Sequence, residues 1–177
     1  MKRVVAVLLL IACGVLSCDR ARTGSTVVLI VRHAEKASDA EDSPLTEAGA
    51  RRAQALVRAA NEAGVSAIYS TQFKRNRDTA QPLAERLGVG VTEAPVELQN
   101  PGDYGRRLAV DILGKRRGQT ALVVGHANTV ASIVEGLTGR AASLGDIQYG
   151  DMFVVTVPPS GPAGVIKAQY GFGGGGN

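Results

Sequence analysis

Short apolar runs alternate along the chain with longer segments whose apolar residues recur at helical spacing. Thr26-Val27-Val28-Leu29-Ile30-Val31 is continuous and rich in β-branched residues. Such a run predicts a strand buried on both faces, as in a parallel sheet. Thr120-Ala121-Leu122-Val123-Val124 predicts a second strand of the same kind. Between them, residues 46–63 place Ala53, Leu56, Val57 and Ala60 on one helical face, with Arg51, Arg52, Arg58 and Glu62 elsewhere. Gly64 closes that helix. A short strand is expected at 67–69, a helix over about 75–87 ending at Gly88, and a strand at 89–91. Pro82 should kink the second helix or mark its true start. Residues 104–113 and 129–137 read as further helices, and 152–157 and 165–170 as closing strands around a Pro- and Gly-rich turn. Residues 37–44 read as a polar loop. Strands alternating with helices predict an α/β protein, a three-layer α/β/α sandwich with a mostly parallel central sheet.

The N-terminus follows a different pattern. Met1-Lys2-Arg3 is a basic start, and the nearly unbroken apolar run from Val4 to Leu16 follows it. That run falls short of the ~20 residues a membrane span needs, so residues 1–17 are read as a signal peptide. Val15-Leu16-Ser17-Cys18 resembles a bacterial lipobox, whose Cys is lipidated and becomes the new N-terminus. Leu10-Ile11-Ala12-Cys13 is a competing match, and an ordinary secretory signal with two incidental cysteines is the alternative. Residues 18–25 would then be a tether, 26–170 a single folded domain and 171–177 a flexible Gly-rich tail. The expectation is an exported lipoprotein, anchored to the membrane at Cys18 and facing the periplasm or cell exterior.

Composition narrows the possibilities. The chain has 177 residues, of which 45% are apolar and 20% charged, enough for one globular domain with its own core. Both cysteines lie at or before residue 18, so the expected mature domain has neither a disulfide framework nor a Cys-based metal site. Loss of Lys2 and Arg3 leaves 18 basic residues against 16 acidic ones, an excess of +2. That excess is too small to imply nucleic acid, and the chain has no Trp to stack on bases.

The candidate chemistry lies at the strand ends. The chain has two histidines, His33 and His126, and each follows one of the two predicted buried strands. In open α/β sheets, ligands bind beyond the carboxyl ends of the strands. Arg32 precedes His33, and Ser70, Thr71 and Arg75 follow the strand at 67–69. Arg offers a planar fork that pairs bidentately with phosphate, and His offers a ring nitrogen that can attack or donate. No acidic cluster with metal-ligand spacing and no Gly-rich nucleotide loop is visible. The set points to phosphate chemistry without a metal or cofactor.

Four segments in order then carry a resemblance. They are Arg32-His33-Ala34-Glu35, Leu45-Thr46-Glu47-Ala48-Gly49, the stretch from Tyr69 through Arg75 to Asp78-Thr79-Ala80, and Val124-Gly125-His126-Ala127-Asn128. Together they resemble the histidine phosphatase superfamily, which includes the cofactor-dependent phosphoglycerate mutases. Ala34 stands where the family commonly has Gly. The resemblance implies that His33 is a nucleophile phosphorylated on a ring nitrogen, and that Arg32, Arg75 and His126 clamp the phosphoryl oxygens. It implies a carboxylic acid for the leaving oxygen. Glu93 and Glu97 are the mid-chain candidates, and Glu97 is preferred because Pro95-Val96-Glu97-Leu98 resembles the family's acid-bearing segment. Glu35 is a further possibility, with a structural salt bridge as its other reading. The expected activity is hydrolysis of a small phosphate monoester. A phosphohistidine protein phosphatase and a non-catalytic phosphate-binding lipoprotein are the alternatives.

Overall fold

The computed structural model describes residues 24–171. The expected signal peptide, Cys13, Cys18, most of the tether and residues 172–177 lie outside them. The described chain runs β1 (Thr26–Arg32), α1 (Glu47–Ala60), β2 (Val65–Ser70), α2 (Lys74–Leu87), β3 (Val91–Glu93), α3 (Tyr104–Lys115), β4 (Thr120–Gly125), α4 (Val130–Thr138), β5 (Asp151–Val157) and β6 (Gly164–Gln169). No helix among the described residues is long and apolar enough to cross a membrane.

The sheet order is β3-β2-β4-β1-β5-β6. β3, β2, β4 and β1 run parallel, whereas β5 is antiparallel to β1 and β6 to β5. The two strands read as doubly buried, β1 and β4, are neighbours near the middle of the sheet. Their side chains alternate between two apolar layers. Val28, Ile30, Ala121 and Val123 face α3 and α4, packing with Leu108, Ile112, Val130 and Ile133. Leu29, Val31, Leu122 and Val124 face α1 and α2, packing with Leu56, Ala60, Leu83 and Ala84. Each fully buried Val, Leu or Ile contributes about 1.5–3 kcal/mol, so the double-sided burial of these strands fixes the three-layer order.

α1 starts where Thr46 caps it, its hydroxyl accepting the Gly49 N–H at 3.0 Å. Gly49 also lets the helix approach the segment after β1. A Cβ there would stand 2.4 Å from the Glu35 carbonyl oxygen. α2 covers Lys74–Leu87, as expected, with Pro82 inside it, so Pro82 does not mark the start of the helix. An interior Pro costs a helix about 3 kcal/mol. Burial of Thr79, Ala80, Leu83 and Ala84 around it outweighs that loss. The third strand differs, forming at Val91–Glu93 instead of 89–91. The Val89 N–H is committed to the Ala84 carbonyl at the end of α2, 3.0 Å away, so pairing with β2 begins only at Val91 against Ile68.

α3 and α4 touch backbone to backbone. A Cβ on Gly105 would fall 2.2 Å from the Ser132 carbonyl carbon, and one on Gly136 would fall 2.6 Å from the Gly105 carbonyl oxygen. Gly105→Ala must push α4 away and should cost about 2–3 kcal/mol. Gly114→Ala, on the same helix but with nothing within 4 Å of the added methyl, should gain about 0.5–1 kcal/mol from helix propensity. Urea unfolding midpoints will separate the two variants in opposite directions. Equal midpoints would contradict the close helix contact.

Candidate active site

The register of β1 on β4 builds the centre of the site. Val31 lies opposite Val124 and Arg32 opposite Gly125, so both strands end level. The His33 N–H continues the ladder to the Gly125 carbonyl at 2.9 Å, and His126 is the next residue. The two rings meet edge to face with centroids 5.3 Å apart, each side chain only 4% exposed. Both sequence-predicted histidines are thus brought together.

Short hydrogen bonds hold the backbone around them. Thr129 Oγ1 accepts the His126 N–H at 2.9 Å and fixes the turn into α4. Asn76 Nδ2 donates to the carbonyls of Val124 and Gly125 at 3.1 and 2.9 Å, tying α2 to the end of β4. Thr79 Oγ1 accepts the Ala34 N–H at 2.9 Å and donates to the Arg75 carbonyl at 2.7 Å. It couples the segment after His33 to the helix that carries Arg75. The Ala34 methyl is accommodated in full burial.

The tautomer of His33 follows from its partner. Nδ1 lies 2.7 Å from the Ala34 carbonyl oxygen. A carbonyl only accepts, so Nδ1 carries the proton and Nε2 keeps a free lone pair. Burial lowers the His33 pKa to about 4, with Arg75, Arg32 and Lys36 adding to the effect and the Ala34 carbonyl opposing it. Burial likewise lowers His126 to about 3, reinforced by His33, Arg75 and Arg32. Its Nε2 lies 3.0 Å from Thr71 Oγ1. Both rings are therefore neutral at pH 7.

Arg32 and Arg75 flank the pair. Arg32 Nη1 donates to the Ile147 carbonyl at 3.0 Å, and its guanidinium lies 4.0 Å over the ring of Tyr149. Arg75 is 5% exposed, donates to the Glu41 carbonyl and lies 4.7 Å over the ring of Phe73. Burial lowers the Arg75 pKa against the pull of Asp42, Glu41 and Tyr149, but a guanidinium stays charged in proteins. Among the described residues, neither arginine is in an ion pair with a carboxylate. The loop at 37–44 is as expected, closed by the Ala37 N–H on the Pro44 carbonyl at 2.8 Å. It folds onto Arg75 and supplies Asp42 to the Lys74 N–H at the start of α2.

The acid candidates separate. Glu35 is held by Arg52, with Nε at 2.9 and 3.0 Å from its two oxygens and Nη2 at 2.6 Å. Burial pushes this carboxyl up, and the Arg52 hydrogen bonds outweigh burial and hold it below the usual range. Glu35 is thus a structural ion pair. Glu93 faces Arg77 at 3.7 Å. Glu97 is exposed, on the loop after β3, and the cleft it lines includes none of His33, His126, Arg32 and Arg75. Gln72 bonds Val96 twice, from Nε2 to the carbonyl at 2.8 Å and from the Val96 N–H to Oε1 at 3.0 Å. Asn128 Nδ2 donates to the Leu98 carbonyl at 2.9 Å. Glu97 sits between these clasps and lines a cleft of about 410 Å³ with Gln72, Asp103 and Arg107. A larger cavity of about 670 Å³ between α1 and α2, lined by Leu45, Ala53, Gln54 and Pro82 among others, contains none of these site residues.

Sequence reasoning assigned no role to Tyr149, Phe73, Asn76, Thr79 or Gln72. Asn76 and Thr79 lie one residue and one helical turn beyond Arg75, and that spacing was a usable signal. Nothing in the pattern around Tyr149 marked it.

The pKa values set a stability window. Both histidines bind protons less readily when folded than the ~6.5 of an unfolded imidazole. The unfolded chain therefore takes up protons first as pH falls, and stability rises with pH across that interval. Thermal midpoints should be level above about pH 7 and should fall as pH drops from 6.5 toward 4. Imidazole ¹⁵N spectra should show both rings neutral down to pH 5.5, with the His33 proton on Nδ1. A ring titrating near 6.5 would contradict this.

No curated protein matches the chain in sequence. Residues 28–99 match the histidine phosphatase superfamily (branch 1). Solved structures share the fold at low identity. The protein histidine phosphatase SixA complexed with tungstate is 19% identical, with a TM-score of 0.64 over 81% of this chain and 96% of that one. Mycobacterial glucosyl-3-phosphoglycerate phosphatase is 16% identical, with a TM-score of 0.61 over 75% of this chain and 90% of that one. Mycobacterial hydrolase 1 is 15% identical, with a TM-score of 0.62 over 75% and 92%. Residues 28–99 are thus similar to the histidine phosphatase superfamily (branch 1), and the described domain shares its fold with solved phosphatases.

Proposed function

We propose that this protein is a metal-independent phosphatase that hydrolyses a small phosphate monoester through a phosphohistidine on His33. One observation carries the reading. The buried His33 has its Nδ1 proton committed to the Ala34 carbonyl, leaving Nε2 free, and the two arginines whose charges act on this ring, Arg75 and Arg32, have no described carboxylate in an ion pair with them. Two guanidinium charges beside two neutral rings match a phosphate dianion. The fold is shared with SixA, which was solved with tungstate, and with a mycobacterial phosphatase solved with inorganic phosphate. Those oxyanions belong to those proteins, and they support the choice of ligand class here.

The chemistry balances with groups on this chain. Nε2 attacks phosphorus, a P–N bond forms and the P–O bond to the leaving group breaks. Glu97 gives its proton to the departing oxygen. The resulting carboxylate then takes a proton from water as the water oxygen attacks phosphorus, and the P–N electrons return to Nε2. Phosphate-monoester hydrolysis is among the slowest reference reactions, with accelerations up to ~10²¹-fold required. Positioning supplies about 7–11 kcal/mol of that. Fixed positive charge on the transferring group, from Arg32 and Arg75 with His126, must supply most of the remainder.

A phosphohistidine phosphoprotein is a second substrate reading, favoured by the similarity to SixA over 96% of that chain. There the leaving atom is an imidazole nitrogen. Assaying the purified domain on both substrate kinds decides between them.

Two experiments test the proposal. Mass spectrometry after quenching without acid should find a transient phosphoryl group on His33, absent in His33→Ala, with turnover down by about 10³-fold or more. Phosphate binding with neither adduct nor turnover would leave a binding module instead. Glu97→Gln should slow an alkyl phosphate by roughly 10²-fold yet barely affect 4-nitrophenyl phosphate, whose phenolate leaves unprotonated. Equal effects on both esters would remove Glu97 from the acid role.

Export and lipid anchoring at Cys18 rest on the sequence of residues 1–18 alone. Cys18→Ser should move the full chain from the membrane fraction to the soluble one. Unchanged fractionation would refute the anchor.

A further inference from the structure

Each site arginine lies over an aromatic ring, Arg32 at 4.0 Å from the centre of Tyr149 and Arg75 at 4.7 Å from that of Phe73. Phe73 belongs to the segment that also carries Arg75. Tyr149 comes from the connection between α4 and β5, far away in sequence. That connection touches Arg32 in a second way, because the Ile147 carbonyl accepts from Nη1 at 3.0 Å. The Tyr149 ring also stands 5.9 Å from the ring of His33. It therefore borders the guanidinium and the nucleophile together.

The connection is itself anchored. Asp151, fully buried at the start of β5, accepts the Gln148 N–H at 2.8 Å and pairs with Lys167 of β6 at 2.9 Å. The Tyr170 N–H donates to the Gly150 carbonyl at 2.9 Å. Residues 147–150 are thus pinned by the antiparallel half of the sheet. They present one carbonyl and one aromatic face to Arg32, and neither neutralises its charge.

We infer that Tyr149 is a positioning residue for phosphate recognition. Its ring face and the Ile147 carbonyl together hold the Arg32 guanidinium in the orientation that clamps the phosphoryl group beside His33. The inference rests on the proposed phosphate site. The aromatic face orients a cation through the ring quadrupole, and the ring 4.0 Å from the guanidinium restricts where it can move. A leucine would fill the volume without supplying either. A phenylalanine would supply both.

Binding of inorganic phosphate, read by calorimetry on the intact domain, tests this without requiring turnover. Tyr149→Phe should bind phosphate within about twofold of the parent, and Tyr149→Leu should bind roughly tenfold more weakly. Thermal melts of both variants check that the fold is kept. In an Arg32→Ala background, Tyr149→Leu should cause no further loss, since the ring then has no cation to orient. A merely structural role for Tyr149 would instead add its loss in either background. Three results would overturn the inference: unchanged binding in Tyr149→Leu, equal damage from Tyr149→Phe, or full additivity with Arg32→Ala. The His33 adduct experiment is independent. Phosphate binding that depends on Tyr149 without any adduct would sink the catalytic reading and leave this one standing.

Discussion

The site depends on a single constraint, the in-register parallel pairing of β1 with β4. With Val31 opposite Val124 and Arg32 opposite Gly125, the next residues on both strands are the two histidines. A slip of one residue would displace His126 by about 3.3 Å and would turn every β4 side chain to the wrong layer. The apolar layers forbid that slip. Val123 and Ala121 must face α3 and α4, while Leu122 and Val124 must face α1 and α2. The burial that stabilises the sheet is therefore also what sets the distance between the rings. The other site groups are attached to this pair. Asn76 and Thr79 bind α2, and with it Arg75, to the ends of β4 and β1, and Thr129 fixes the turn after His126.

The second theme is how charge is oriented without being cancelled. A carboxylate 4 Å from a guanidinium near a protein surface interacts by about 4 kcal/mol, at an effective dielectric of ~20. Such a partner would hold Arg32 or Arg75 firmly but would compete with any incoming anion. The structure uses carbonyl oxygens and ring faces there instead. The contrast with Glu35 and Arg52 is direct. That pair lies in the segment after His33 and α1, is fully engaged, and serves to bind the segment to the helix. Carboxylate pairing ties the segment after His33 to α1, and among the described residues it is absent at Arg32 and Arg75.

These two themes explain what could be read from the sequence. β1 and β4 were legible because doubly buried strands are uninterrupted apolar runs, and the histidines were legible because they sit at the ends of those runs. Arg75 was legible from its place just after the second strand, and the resemblance of its segment to a family motif then supported it; Asn76 and Thr79 could have been found by helical spacing from it. Tyr149 could not, because its contact with Arg32 arises when β5 pairs with β1, in a connection of 115 residues' separation at Ile147 and with no periodicity of its own. β3 was misplaced because a three-residue edge strand takes its limits from its partner and from the end of α2, not from its own side chains. Pro82 does not mark the start of α2, because burial on the sheet side of the helix holds the turns before and after it.

The same reasoning accounts for where the fold tolerates unmet polarity. Six buried side-chain atoms have no hydrogen-bond partner among the described residues: Arg32 Nε, Arg75 Nε, Asn76 Oδ1, Arg116 Nε, Asp151 Oδ1 and Tyr170 OH. Leaving such a group unpaired costs about 1–3 kcal/mol, and the first three belong to the site or its immediate scaffold. Two of these are guanidinium donors, and an anion with several acceptor oxygens bound there would offset their cost.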